Sequence, residues 1–169
     1  MEKEKFIPSG PYVFQSGNHR GQSIEVLMFK DYGFVRWYLR KMDLMMGGKR
    51  NRLHQHVDWV VRQGENRNAK WLCPQCAHDS PIQNFLALGH PTGGYTISLQ
   101  LTSCERQECL ENLFYLKKRI TDKILPVRFS SILQFNMKAD RDQVARFLRD
   151  AFELPKRLTK ESAFRFFSE

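Results

Sequence analysis

Trp71-Leu72-Cys73-Pro74-Gln75-Cys76 and, after a long interval, Cys104-Glu105-Arg106-Gln107-Glu108-Cys109 hold all four cysteines of this 169-residue chain. Two short-spaced pairs let each knuckle turn two thiolates toward one point. Four thiolates complete a tetrahedral shell for Zn²⁺. Between the pairs, Phe85-Leu86-Ala87-Leu88 is an apolar run and Pro91-Thr92-Gly93-Gly94 is turn chemistry. Tyr95, Ile97, Leu99 and Leu101 then alternate with Thr96, Ser98, Gln100 and Thr102, the period of a half-buried strand. Leu110 to Leu116 is expected to supply a further strand, with Lys117-Lys118-Arg119 at its exposed end.

Knuckle, hairpin, knuckle, strand is the order of a zinc ribbon, and residues 71–118 resemble that family. The resemblance implies a structural zinc on Cys73, Cys76, Cys104 and Cys109, with no open coordination position. Disulfides compete for the same cysteines. The start Met1-Glu2-Lys3-Glu4-Lys5 has no apolar signal-peptide core, so a reducing, cytoplasmic setting and a metal are the expectation. A redox Cys-x-x-Cys would need a βαβ setting that is not visible around Cys73. His78 and His90 lie near enough in sequence to replace a cysteine, but four sulfurs are expected and both histidines are read as surface groups.

The chain carries net charge +9, with 27 basic and 18 acidic residues. Residues 36–70 hold nine basic against three acidic groups, and residues 113–169 thirteen against seven. Residues 71–112 hold one against four, so the cysteine segment is the acidic part of a basic protein. An anionic partner, DNA or RNA, would then meet the flanking segments rather than the ribbon. With 41% hydrophobic residues the chain is globular, and no apolar run reaches the length of a membrane span.

Ahead of the cysteines, Tyr12 and Phe14 alternate, Gly17-Asn18 offers a tight turn, and Ser23 to Val26 can return as a strand. Asp31 is placed to cap a helix running to about Met46 and stopped by Gly47-Gly48. The pattern Gly17-Asn18-His19-Arg20-Gly21-Gln22-Ser23, followed by Asp31, Tyr32 and Trp37, resembles the small C-terminal module of exodeoxyribonuclease X-like proteins. A family described as quorum-sensing-regulated virulence factors carries the same module. Its pattern is Gly-Lys-(His/Tyr)-Lys-Gly-x-(Ser/Thr), then an aspartate and an aromatic helix ending in Arg/Lys-Trp. Gly17, His19, Gly21, Ser23, Asp31, Tyr32 and Trp37 match, whereas Asn18 and Arg20 stand where lysines are usual. The resemblance covers residues 12–46 and implies an accessory, nucleic-acid-associated module without the nuclease domain.

A second helix is expected from Leu53, Val57, Val60 and Val61, closed by Gly64. His54 and His56, two apart, fall on different helix faces and do not make a metal pair. Gln63 to Asn68 reads as a linker. Phosphate contacts are assigned to His19, Arg20, Arg36, Arg40, Lys49, Arg50 and Arg52, with Tyr32 or Trp37 as stacking platforms if exposed. Towards the C-terminus, Val127 to Met137 suggests a strand. Asp140 with Gln143 suggests a capping box ahead of Val144, Phe147, Leu148, Ala151 and Phe152, and Thr159 caps a last helix.

The expected fold is α+β: a hairpin-helix module with its connecting helix over residues 6–66, a zinc ribbon over 70–120, and a strand-helix-helix segment over 121–169. No phosphate loop, His-Glu-x-x-His or nucleophile motif is present, so a non-catalytic role is expected. Two functions remain. One is a zinc-containing nucleic-acid-binding accessory protein. The other is an adaptor docking a protein partner through the acidic ribbon and Phe164, Phe166 and Phe167.

Overall fold

The computed structural model describes residues 6–45, 51–76, 78–137 and 141–169, a mixture of helices and a small antiparallel sheet. The α+β expectation is met at that level. The chain divides into two compact units, Met1–Asn66 with Pro155–Glu169, and Arg67–Leu154. The change of unit at Asn66 falls inside the polar stretch read as a linker. Among the described residues no helix is long and apolar enough to cross a membrane.

The first unit is helical. Its loop from Phe14 to Gln22 is closed by Phe14 N–H to Gln22 O and Gly21 N–H to Phe14 O, at 3.0 and 2.8 Å. Gly17 and Gly21 take φ of 77° and 78°, a backbone that side-chain-bearing residues rarely adopt, which explains glycine at both turns. The expected return strand reduces to one bridge, Val13 with Ser23. From there the chain turns helical as α1 (Ile24–Lys30), because Ser23 Oγ accepts from Val26 N–H at 3.4 Å and caps it. Ile24 to Met28 are all buried, a run that two-residue alternation cannot accommodate on a one-sided strand.

Asp31 then caps α2 (Tyr32–Met45), its Oδ1 accepting from Phe34 N–H at 3.0 Å. The Gly47-Gly48 stop lies outside the described residues. Asn51 caps α3 (Arg52–Glu65) by accepting from His54 N–H at 2.8 Å. The last helix, α7 (Lys160–Ser168), is started by a capping box between Thr159 and Ser162. Phe166 and Phe167 are buried against Phe29, and Phe164 stacks on Trp59 at 5.6 Å. Phe166 and Phe167 are therefore core of this unit, and Phe164 is half-buried on Trp59.

One buried polar pair ties the first unit together. Glu25 is fully buried, and its Oε1 lies 2.5 Å from His56 Nε2. His54 and His56 are both buried, and no metal-holding group among the described residues includes them.

The second unit is built on β1 (Asn84–Gly89), whose Phe85, Leu86 and Ala87 are all buried. It pairs antiparallel with β2 (Tyr95–Thr96), β3 (Thr102–Ser103) and β4 (Lys123–Pro126). The single strand expected over 95–102 is broken in the middle. Ser98 Oγ accepts from Gln100 N–H at 3.3 Å and Thr102 Oγ1 donates to Leu99 O at 2.6 Å, winding Leu99–Leu101 into a 3₁₀ turn. Ser98 and Thr102 thus turn their hydroxyls to the backbone and not to solvent.

Two further expected strands are helices. Leu110 to Leu116 belong to α4 (Gln107–Leu116), which contains no β-branched residue and buries Cys109 and Leu113 four apart. Val127 to Met137 contains α5 (Phe129–Leu133) and a 3₁₀ turn, with Phe129, Ile132 and Leu133 buried at helical spacing. The apolar stripe expected on α6 (Arg141–Phe152) is buried, from Val144 to Phe152. Asp140 lies outside the described residues. The expected capping box therefore falls outside the described residues; Gln143 Oε1 accepts from Ile97 N–H at 3.4 Å.

Buried Asp122 fixes the turn before β4. Its Oδ1 accepts from Gly89 N–H at 2.9 Å, and its Oδ2 from Lys118 and Arg119 N–H at 3.1 and 2.9 Å. Burial opposes its charge, but these N–H groups and the Arg119 guanidinium outweigh that and hold its carboxyl below the ordinary range. Gly89 is required beside it, since a Cβ there would stand 2.6 Å from Thr121 Cβ.

Candidate metal centre and nucleic-acid interface

In the second unit the knuckle Cys73-Pro74-Gln75-Cys76 is closed by the Leu72–Pro81 bridge and by Cys73 N–H donating to Ser80 O at 2.8 Å. Cys104 follows β3 directly, and Cys109 is the third residue of α4. Sheet and helix start therefore bring the second pair onto the first. The four Sγ atoms lie within 4.8 Å of one another, and Cys76 and Cys104 Sγ are 3.8 Å apart. Cys73, Cys104 and Cys109 are buried, and Cys76 is half-buried.

Burial pushes the Cys73 thiol up and the Cys109 thiol to about 12. Burial also opposes ionisation of Cys104, but the Arg106 backbone N–H and the neighbouring thiols outweigh it and hold this thiol below its ordinary value. Cys104 N–H in turn donates to Cys73 Sγ at 3.2 Å. Four sulfurs at this separation can hold a metal ion, and a cation is what their shared ionisation needs. His78 is exposed, and His90 is exposed with its Nε2 2.6 Å from Thr96 Oγ1. Neither belongs to the sulfur group.

In the first unit, the loop at His19 folds onto the start of α2. The His19 ring sits 4.2 Å from Phe34 and 6.2 Å from Phe14, and its Nε2 is 3.7 Å from Asp31 Oδ2. Phe34, Trp37, Tyr38 and Lys41 follow at i, i+3, i+4 and i+7 and share one face of α2. Phe14, Asn18, His19, Phe34, Trp37 and Lys41 thereby line an open, mostly apolar cleft of about 570 Å³. Trp37 is 52% exposed, and Lys41 Nζ lies 4.8 Å above its ring.

The residues assigned to phosphate contacts do not all meet here. His19 lines the cleft, while Arg20 is exposed on its loop and Arg40 on α2. Arg36 is half-buried beside Tyr32, whose hydroxyl is shifted up by burial despite that neighbouring charge. Arg52 lines a different groove, with Phe6, Tyr12 and His56. Lys49 and Arg50 lie outside the described residues. Of the two expected stacking residues, Tyr32 is buried and Trp37 is exposed. Phe34 and Lys41 join the cleft through the helical 34-37-38-41 spacing, and Phe14 joins it only through the fold of the loop. No family model, no curated protein and no solved structure matches the chain.

Proposed function

We propose that this chain is a zinc-containing, non-catalytic nucleic-acid-binding accessory protein. The observation that carries the nucleic-acid reading is the half-exposed Trp37 with Lys41 over its ring and the His19-Arg20 loop beside it. A cation-fringed aromatic surface suits a polyanion carrying flat bases. The unit that holds it has fifteen basic and nine acidic residues, net +6. Arg20, Arg40 and Lys41 are the described groups best placed to meet phosphate, in keeping with the resemblance to the exodeoxyribonuclease X-like module.

Zinc is the metal that suits four cysteines. A Zn–S bond of about 2.3 Å gives a tetrahedral edge of roughly 3.8 Å, the separation of Cys76 and Cys104 Sγ and within an ångström of the widest pair. With all four positions filled by sulfur, the ion would brace the knuckle against α4 and take no part in chemistry.

Fluorescence anisotropy of the full chain against single-stranded and duplex DNA and RNA, over a salt series, tests the binding. The expected result is affinity that falls steeply with salt as retained counterions compete. Absence of binding to every strand at low salt would overturn it. Metal analysis should find one zinc per chain; a folded, zinc-free protein with four free thiols would remove the metal assignment.

A second reading, a protein adaptor, is favoured by one observation. Phe114, Tyr115 and Ile120 on and after α4 are exposed, Ile120 fully so. Pull-down against a variant with Phe114 and Tyr115 changed to serine would test whether that face is used.

A further inference from the structure

We infer that the cleft between the His19 loop and α2 takes a single unpaired nucleobase, so that the strand recognised is single-stranded. The proposal deepens the nucleic-acid reading above and rests on it.

Three features of the cleft carry it. First, its wall is aromatic and pre-assembled. Phe34 contacts His19, Trp37 and Tyr38 at 4.2, 5.9 and 6.2 Å, and Phe14 at 5.7 Å, so Phe34 and Phe14 back the site. The Asp31 carboxylate beside His19, and the cap it makes with Phe34 N–H, fix the loop against the helix start.

Second, the accessible part of that wall is the indole of Trp37, and its present neighbour is a cation. A base arriving over the indole takes the place of the Lys41 ammonium, which is then free to meet the phosphate of the same nucleotide. A paired base inside a duplex presents its faces to other bases and cannot enter. An unpaired base exposes both faces.

Third, the rim is basic where the floor is apolar. Lys41 lines the cleft beside its apolar floor, Arg20 and Arg40 are exposed on the adjoining loop and helix, and Asp31 is engaged with His19 and the α2 cap. An apolar peptide would find no use for that rim, and an acidic peptide none for the flat indole. A strand that alternates bases and phosphates uses both.

Full-length protein should be titrated by anisotropy with an oligothymidine, an all-abasic strand of equal length, and a duplex of that length. Trp37→Ala is the test variant, and Trp37→Tyr, which restores an aromatic face, is the control. The expected result is tightest binding to oligothymidine, and for Trp37→Ala a loss of roughly ten- to a hundredfold on that strand alone. Trp37→Tyr should recover most of it. A thermal melt of each variant separates lost stacking from lost fold. Equal weakening on oligothymidine and abasic strands, or no weakening on either, overturns the base pocket and leaves general phosphate binding standing. Failure of the unmodified chain to bind any strand overturns both.

Discussion

The two units hold their candidate sites by opposite means. In the second unit the site is inward: four sulfurs, three of them buried, drawn from two segments about 30 residues apart and closed by a sheet and a helix start. In the first unit the site faces outward: a cleft built within residues 14–41, backed by ring contacts and ending in an exposed indole and lysine. The inward site works on folding, because its ligands must be gathered before an ion can bind. The outward site, on the reading proposed above, would meet a partner, and its exposed indole and lysine enclose little. Function in such a chain is read from what a unit leaves uncovered, and stability from what it encloses.

Removing the metal should give the largest effect. Structural zinc in small domains contributes on the order of 10 kcal/mol. Chelation, or Cys109→Ser, is therefore expected to melt the second unit, read as loss of amide dispersion in NMR spectra for residues 71–126. A protein that keeps those signals after its metal is stripped would make the sulfur cluster incidental and break the contrast.

The next effect tests whether the outward-facing unit is also held from within. His56→Ala removes a buried ring and leaves the buried Glu25 carboxyl without its partner, which together cost about 3–5 kcal/mol, as both side chains are almost wholly enclosed. Urea unfolding checks it; a midpoint within error of the parent would show the pair to be dispensable. Asp122→Asn in the second unit should cost less, about 2–3 kcal/mol, by removing an anion that three backbone N–H groups bind. The sign of its pH dependence follows from the depressed carboxyl. Its contribution is complete above the unfolded value, about 3.9, and is lost as pH falls through the lower folded value. The parent should lose stability below about pH 4 more steeply than Asp122→Asn. Parallel curves would assign the acid sensitivity elsewhere.

How much of this was legible divides along the same line. Four cysteines in two short-spaced pairs announce themselves because no other common use in a reducing setting demands that spacing. The Asp31, Asn51 and Thr159 helix starts follow local rules, two of them foreseen, and the structure keeps those rules. What misled was alternation taken as strand. Ser98 and Thr102 turn their hydroxyls to nearby backbone, and Leu110 to Leu116 alternates only weakly while containing none of the residues that resist a helix. Glu25 and His56 are 31 residues apart, and nothing local marks either as half of a buried pair. The cleft was half visible. The motif pointed to His19, and helical spacing offered Phe34, Trp37 and Lys41, but only folding the loop onto α2 joins the two.

The smallest effect is the most telling for the outward site. Lys41→Gln removes a charge that rests on an exposed indole and encloses nothing, so unfolding should shift by less than about 0.5 kcal/mol. Binding should respond differently. If Lys41 meets a phosphate once a base covers Trp37, one fewer counterion is released, and the slope of log affinity against log salt on a single strand should flatten by roughly 0.7. The affinity loss should be largest at low salt and shrink as salt rises, whereas the stacking loss in Trp37→Ala should be nearly independent of salt. An unchanged slope with reduced affinity would mean that Lys41 orients the indole and never reaches the strand. The cleft would then carry the base while its phosphate contacts lie on other residues, with Arg20 and Arg40 the next pair to change.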